Sequence, residues 1–104
     1  MNSELTNNLI MSEKLLLSDG RSMPYVGMGT WKITEATLVD SAIDAAIEVG
    51  YRHFDCAILY ENEQLVGDAI QKALPKYNLT REDIWITSKI PPWQMDYESA
   101  KEAV

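Results

Sequence analysis

Three side chains in this sequence have the types and the order to move a proton at neutral pH: Asp55, Tyr60 and Lys89. Asp55 and Tyr60 lie in "GYRHFDCAILYENEQLVG", residues 50–67, and Lys89 closes "IWITSK", residues 84–89. Both stretches otherwise read as buried strand, where a polar group is costly unless it has a partner. If they form neighbouring parallel strands, roughly 4.8 Å apart, then Asp55 and Lys89 stand side by side at the C-terminal ends and can form an ion pair. Alternation puts His53 on the face of Asp55 and Thr87 on the face of Lys89. Tyr60 follows in the loop and can fold back over the pair. A phenol titrates near about 10 and gives up its proton reluctantly at neutral pH. A nearby ammonium favours the phenolate and lowers that value. The aspartate holds the lysine and limits the cost of burying it. This is the equipment of a tyrosine general acid.

The surrounding pattern predicts the elements that would hold these groups. "KLLLSDGRSMPYVGMGTW" reads as a short hairpin turning at Asp19-Gly20, a type I′ signal with positive φ at both central positions. "VGMG", residues 26–29, reads as a short strand entering a loop. From Thr34 to Val49, Val39, Ala42, Ile43, Ala46 and Ile47 form one apolar helical face, and Gly50 sits where a C-cap belongs. "YRHFDCA" is the next strand. "ENEQLVGDAIQKAL" is a second helix with Leu65, Val66, Ala69, Ile70, Ala73 and Leu74 on one face, stopped by Pro75 and Asn78. Thr80 with Asp83 suggests a capping box. "IWITSK" is a third strand, and "DYESAKEAV" opens a third helix with Asp96 as N-cap. Alternating strands and helices indicate a parallel α/β fold, in which functional groups gather at the C-terminal ends of strands. The third helix stops at Val104 after two turns, and three strands make a small parallel sheet. The expectation is the first part of a larger α/β domain, with residues 1–12 a flexible tail, Met11 a candidate alternative start, and residues 13–104 the folded portion.

The chain has 104 residues, of which 46% are hydrophobic and 24% charged, a globular composition. Nine basic against sixteen acidic side chains leave a net charge of −7. With no Lys/Arg cluster, nucleic acid and anionic membranes are not expected partners. Cys56 is the only cysteine, so an intramolecular disulfide is excluded. No apolar run approaches the roughly 18 residues of a membrane span, and the N-terminus lacks the basic and apolar regions of a signal peptide. A cytoplasmic protein is the expectation, and no metal-ligand spacing is evident.

"GTWK" at 29–32, "GYRHFDCAILYENEQLVG" and "IWITSKI" are similar to the three N-terminal motifs of the aldo-keto reductases. The resemblance runs from about Leu15 to Val104 in that family's order and spacing. It implies the N-terminal part of a (β/α)8 TIM barrel, about three βα units plus the hairpin that closes its lower end, cut within the third helix. It implies NADP(H), bound extended without a Rossmann motif, and reduction of a small-molecule aldehyde or ketone by a monomeric full-length enzyme. By resemblance Tyr60 is the general acid, Lys89 depresses its pKa and Asp55 pairs with the lysine. Thr30, Trp31 and Asp55 lie near the nicotinamide end, with Lys32 a further candidate, and Trp31 and Tyr60 line the substrate pocket. A further catalytic residue of the family, a histidine, falls beyond Val104. Many members carry a tryptophan two positions after the lysine; this chain has Pro91-Pro92-Trp93.

Plainer readings stand beside these. His53 can be a neutral packing residue, Cys56 a small core hydrophobe, and Asp55–Lys89 a structural pair. Trp31 can pack on the hairpin, Arg52 can face outward and pair with an acidic helix residue, and Pro91-Pro92 can stiffen a loop. A non-catalytic product with open strand edges, acting as an interaction module, is the alternative to an enzyme.

Overall fold

The computed structural model of the protein describes residues 13–104; the tail and the alternative start at Met11 lie outside them. A hairpin of β1 (Lys14–Leu16) and β2 (Ser22–Pro24) precedes a parallel sheet of β3 (Met28–Gly29), β4 (His53–Asp55) and β5 (Trp85–Thr87) in that spatial order. Helix α1 (Ala36–Val49) joins β3 to β4, α2 (Glu63–Lys76) joins β4 to β5, and α3 (Tyr97–Ala103) follows. This is the repeating unit of a (β/α) barrel, and the chain covers part of one.

The hairpin forms where expected but turns differently. Leu16 pairs with Ser22, and Gly20 donates to the carbonyl of Leu17 at 3.0 Å. Only Gly20, at φ 90°, has positive φ in the turn; Asp19 does not. The loop is therefore a three-residue type I turn followed by a left-handed glycine, not the two-residue type I′ turn. Asp19 instead uses its carboxylate, accepting from the backbone N–H and guanidinium of Arg21.

Helix α1 ends on its glycine. Gly50 takes φ 112°, its N–H reaches the Ile47 carbonyl, and the Tyr51 N–H reaches Ala46, the paired bonds of a Schellman cap. Arg52 departs from the expected acidic pairing: its Nη1 donates to the carbonyls of Ile47 and Tyr51 at 2.8 and 2.7 Å. A cation at a helix C-terminus finds carbonyl lone pairs left open there and the negative end of the dipole. Helix α2 runs through Pro75 and stops at Asn78, φ 58°, where Leu79 donates to Leu74 and Asn78 to Pro75. Pro75 gives up one intrahelical bond on the exposed side of the last turn and does not itself end the helix. The Thr80–Asp83 capping box and the Asp96 N-cap both form.

The core lies between the sheet and the two long helices. Phe54, in the middle strand, packs with Val39, Ile43 and Ile47 of α1 and Val66, Ala69, Ile70 and Ala73 of α2. Because side chains alternate along β4, burying Phe54 on the helix side sends His53 and Asp55 to the other face. Ion pairs Lys72–Asp40 and Lys76–Asp44, both at 2.7 Å, link the outer surfaces of the helices.

Candidate active site

Strand register decides which polar groups meet. Gly29 lies opposite Asp55 across β3–β4, and Asp55 lies opposite Thr87 across β4–β5. The inward positions of β4 and β5 are therefore His53, Asp55, Trp85 and Thr87, with Lys89 two residues further on. His53 Nε2 sits 2.6 Å from Thr87 Oγ1. A Cβ at Gly27 would come within 3.1 Å of the His53 carbonyl, so glycine permits the close approach of chain there. The histidine is a hydrogen-bonded packing residue at this position.

Above it, Lys89 Nζ donates to Asp55 Oδ1 at 2.6 Å and to the Cys56 carbonyl at 3.0 Å. The same ammonium lies over the Tyr60 ring, 5.1 Å from its centre, within cation–π range. The short 3₁₀ turn Ile58–Tyr60 is what brings the phenol back, anchored by the Ile58 N–H on the Lys89 carbonyl. The structure thus brings Asp55, Tyr60 and Lys89 together. Asp55 beside it pushes the Lys89 pKa above its ordinary 10.5, with the Tyr60 hydroxyl a smaller contributor in the same direction. The expected burial of the pair is not found: both side chains are 48% exposed, because the described residues place no wall across the inner face of this open sheet.

The "GTWK" loop borders the same mouth. Thr30 is fully buried; its N–H and hydroxyl both donate to the Asp55 carbonyl, at 3.1 and 2.9 Å. Trp31 stands largely open to solvent. It is 66% exposed, with Lys32 Nζ 4.6 Å from its ring centre, and Lys32 takes a left-handed φ of 70°. Cys56 is buried, and burial pushes its thiol pKa up, as for an inert core cysteine. Among the described residues no group of three or more His, Cys, Asp or Glu side chains is placed to hold a metal ion.

One buried polar residue at this mouth carries almost no sequence signal. Asn62, the N-cap of α2, turns its side chain away from the helix and donates from Nδ2 to the Thr30 and Ile33 carbonyls, both at 2.7 Å. An Asn just before a helix ordinarily suggests capping alone; its long-range partners are visible only in three dimensions.

A groove of about 650 Å³ lies on the helix side of the sheet, lined by α2 residues such as Gly67 and Ile70 together with Ile86 of β5. Asp55, Tyr60 and Lys89 are not among its lining residues.

Known proteins match this arrangement along the same residues. The model of the aldo/keto reductase family matches residues 25–104. Aldo-keto reductase family 1 member A1-A of Danio rerio is 47% identical over 81 residues, 77% of this chain and 25% of that protein. The aldose reductase structure from Schistosoma japonicum superposes with a TM-score of 0.79 at 42% identity, over 88% of this chain and 30% of that one. A Bombyx mori aldo-keto reductase, solved in complex with NADP, gives a TM-score of 0.77 at 31% identity, over 88% and 31%. The chain spans about a quarter of the length of the curated relatives it matches. The match covers the hairpin exit, the GTWK loop, the Asp55–Tyr60 segment and the Lys89 strand together, and the chain belongs to the aldo/keto reductase family.

Proposed function

We propose that residues 13–104 supply the closing hairpin and the first three βα units of a barrel that reduces aldehydes or ketones to alcohols with NADPH. The observation that carries this is the single ammonium of Lys89 set against both the Asp55 carboxylate and the Tyr60 ring. Family membership supports oxidoreductase chemistry on a carbonyl, and the NADP in the Bombyx mori relative supports the choice of cofactor.

The described residues fit the nicotinamide end of such a cofactor. Gly29 lies level with Asp55, and a Cβ there would meet nothing within 4 Å, so the space beside the carboxylate is open to a flat ring. When bound, NADPH supplies the hydride. Trp31 and Lys32 present an exposed aromatic face and a cation at the rim, and Trp31 with Tyr60 would line the substrate pocket. Thr30 contributes by fixing the loop to the Asp55 backbone. Asp55 would hold Lys89 in place, Lys89 would stabilise the phenolate, and the Tyr60 hydroxyl would give its proton to the carbonyl oxygen as charge develops there.

The enzyme would act on small molecules as a cytoplasmic monomer. Among the described residues no helix is long and apolar enough to cross a membrane. The test is NADPH consumption by the full-length protein with a panel of aldehydes and ketones. Alcohol formed in step with NADPH oxidised is the expected result; a protein that neither binds NADPH nor reduces any carbonyl would sink the proposal.

A second reading, a non-catalytic interaction module, draws on one observation: Ile86 is 40% exposed in the groove on the helix side. Association that depends on Ile86 in a protein without reductase activity would favour it.

A further inference from the structure

Asn62 is 1% exposed and is left without a task by the chemistry above. Both of its 2.7 Å bonds run to carbonyl oxygens, those of Thr30 and Ile33. The reversed amide would set oxygen against oxygen at that distance, so the orientation is fixed by its partners. In this orientation Oδ1 is buried with no partner, and the side chain makes no cap bond to α2. A good N-cap bond and the satisfaction of one buried oxygen are both given up. What is gained is a clasp on the loop.

The two carbonyls bracket Trp31 and Lys32. Lys32 sits at φ 70°, a left-handed conformation that non-glycine residues hold only when their surroundings impose it. From Thr30 the connection continues to the Asp55 carbonyl, and Asp55 holds Lys89. On its other side Asn62 lies two residues after Tyr60, across Glu61, itself left-handed at φ 57°. One buried amide therefore ties the exposed loop to the segment that carries the phenol. We propose that Asn62 is a positioning residue that locks the Trp31–Lys32 loop to the Tyr60 segment, so that loop and proton donor keep one fixed spacing. The link to cofactor binding rests on the function proposed above; the mechanical link does not.

Two variants separate these. Asn62→Asp keeps the shape and the capacity to cap α2 but leaves at most one O–H donor for the two carbonyls, and Asn62→Ala removes the side chain. In this 104-residue chain with Trp85→Phe and Trp93→Phe, Trp31 is the one tryptophan, and its emission is excited selectively over that of the tyrosines. Its fluorescence anisotropy is expected to fall in both variants, although Trp31 is solvent-exposed. The Thr30 amide should exchange roughly tenfold faster while the amides of α1 and α2 keep their protection. Unchanged anisotropy with a protected Thr30 amide would overturn the proposal. So would a loss of protection spread evenly over both helices, since Asn62 would then be an ordinary core residue. In the full-length enzyme, Asn62→Asp is expected to raise the NADPH dissociation constant about tenfold, or 1.4 kcal/mol, with a smaller change in kcat. A freed loop with unchanged NADPH affinity would overturn the link to the cofactor. A wild-type protein that binds no NADPH would remove the function reading instead, leaving the loop measurements standing.

Discussion

Lys89 Nζ and Asp55 Oδ1 meet at 2.6 Å in the open, each side chain 48% exposed. A half-exposed pair contributes roughly 0.2–1 kcal/mol to stability. Lys89→Met should therefore barely move the melting temperature of this chain. In the full-length enzyme the same change should cut kcat by about 10²-fold or more, the usual cost of losing one electrostatic partner of a developing charge. A large thermal shift with activity intact would make the pair structural.

Tyr60→Phe keeps the ring under the Lys89 ammonium and removes only the hydroxyl. A positioned general acid contributes about 10²- to 10⁴-fold, which is roughly 3–5 kcal/mol of barrier. The expected signature is a collapsed kcat with fold and NADPH affinity nearly unchanged. If the variant reduced a good aldehyde at more than about a tenth of the wild-type rate, Tyr60 would not be the proton donor.

Stability should depend on pH through Asp44. Its carboxylate accepts from Lys76 Nζ at 2.7 Å and from the Tyr77 hydroxyl at 2.6 Å. Lys76 first, then Tyr77, hold Asp44 below its ordinary 3.8, so its contribution is present above that value and fades as acid protonates the folded carboxyl. Asp44 raises Lys76 above 10.5 and Tyr77 above 10.0, so their contributions are present below those values and fade as alkali removes the protons. Asp44→Asn should thus lower the melting temperature most between about pH 5 and 9, with the difference shrinking at both extremes. A constant offset across the whole range would contradict this.

Arg52→Ala should destabilise the chain by about 1–2 kcal/mol, since it removes charged bonds to two carbonyls at the end of α1. Arg52→Lys should recover part of the loss, and Glu48→Gln should leave stability unchanged. Thermal unfolding of the three variants checks this; equal losses for Arg52→Ala and Glu48→Gln would restore an acidic partner for Arg52.

Local rules explain which parts of the fold were legible in the sequence. Gly50, Asp96 and the Thr80–Asp83 box each act within a few residues, so composition alone placed those helix ends. The parallel order of β3, β4 and β5 follows from alternation with helices, and the meeting of Asp55 with Lys89 follows from register. Misreadings occurred where one residue of register or a distant partner decides. The extra residue in the 17–21 turn converts a type I′ turn into a bulged one. Arg52 reaches backbone carbonyls, which have no letter in the sequence. Asn62 finds its partners about thirty positions away, beyond the reach of any capping pattern. The exposure of Asp55 and Lys89 depends on what stands opposite the sheet, and the local pattern is silent on that.

The anchoring at this mouth runs largely through main-chain atoms: Thr30 and Lys89 both bond backbone carbonyls of the Asp55–Cys56 stretch, and the Asn62 amide grips two carbonyls of the loop. Trp31, Leu59 and Trp93, by contrast, point outward with more than half of each exposed. Scaffold and rim are therefore separable in mutational space. On the function proposed here, exchanges at the rim would alter which molecules are admitted, while the groups that would handle the proton would keep their geometry.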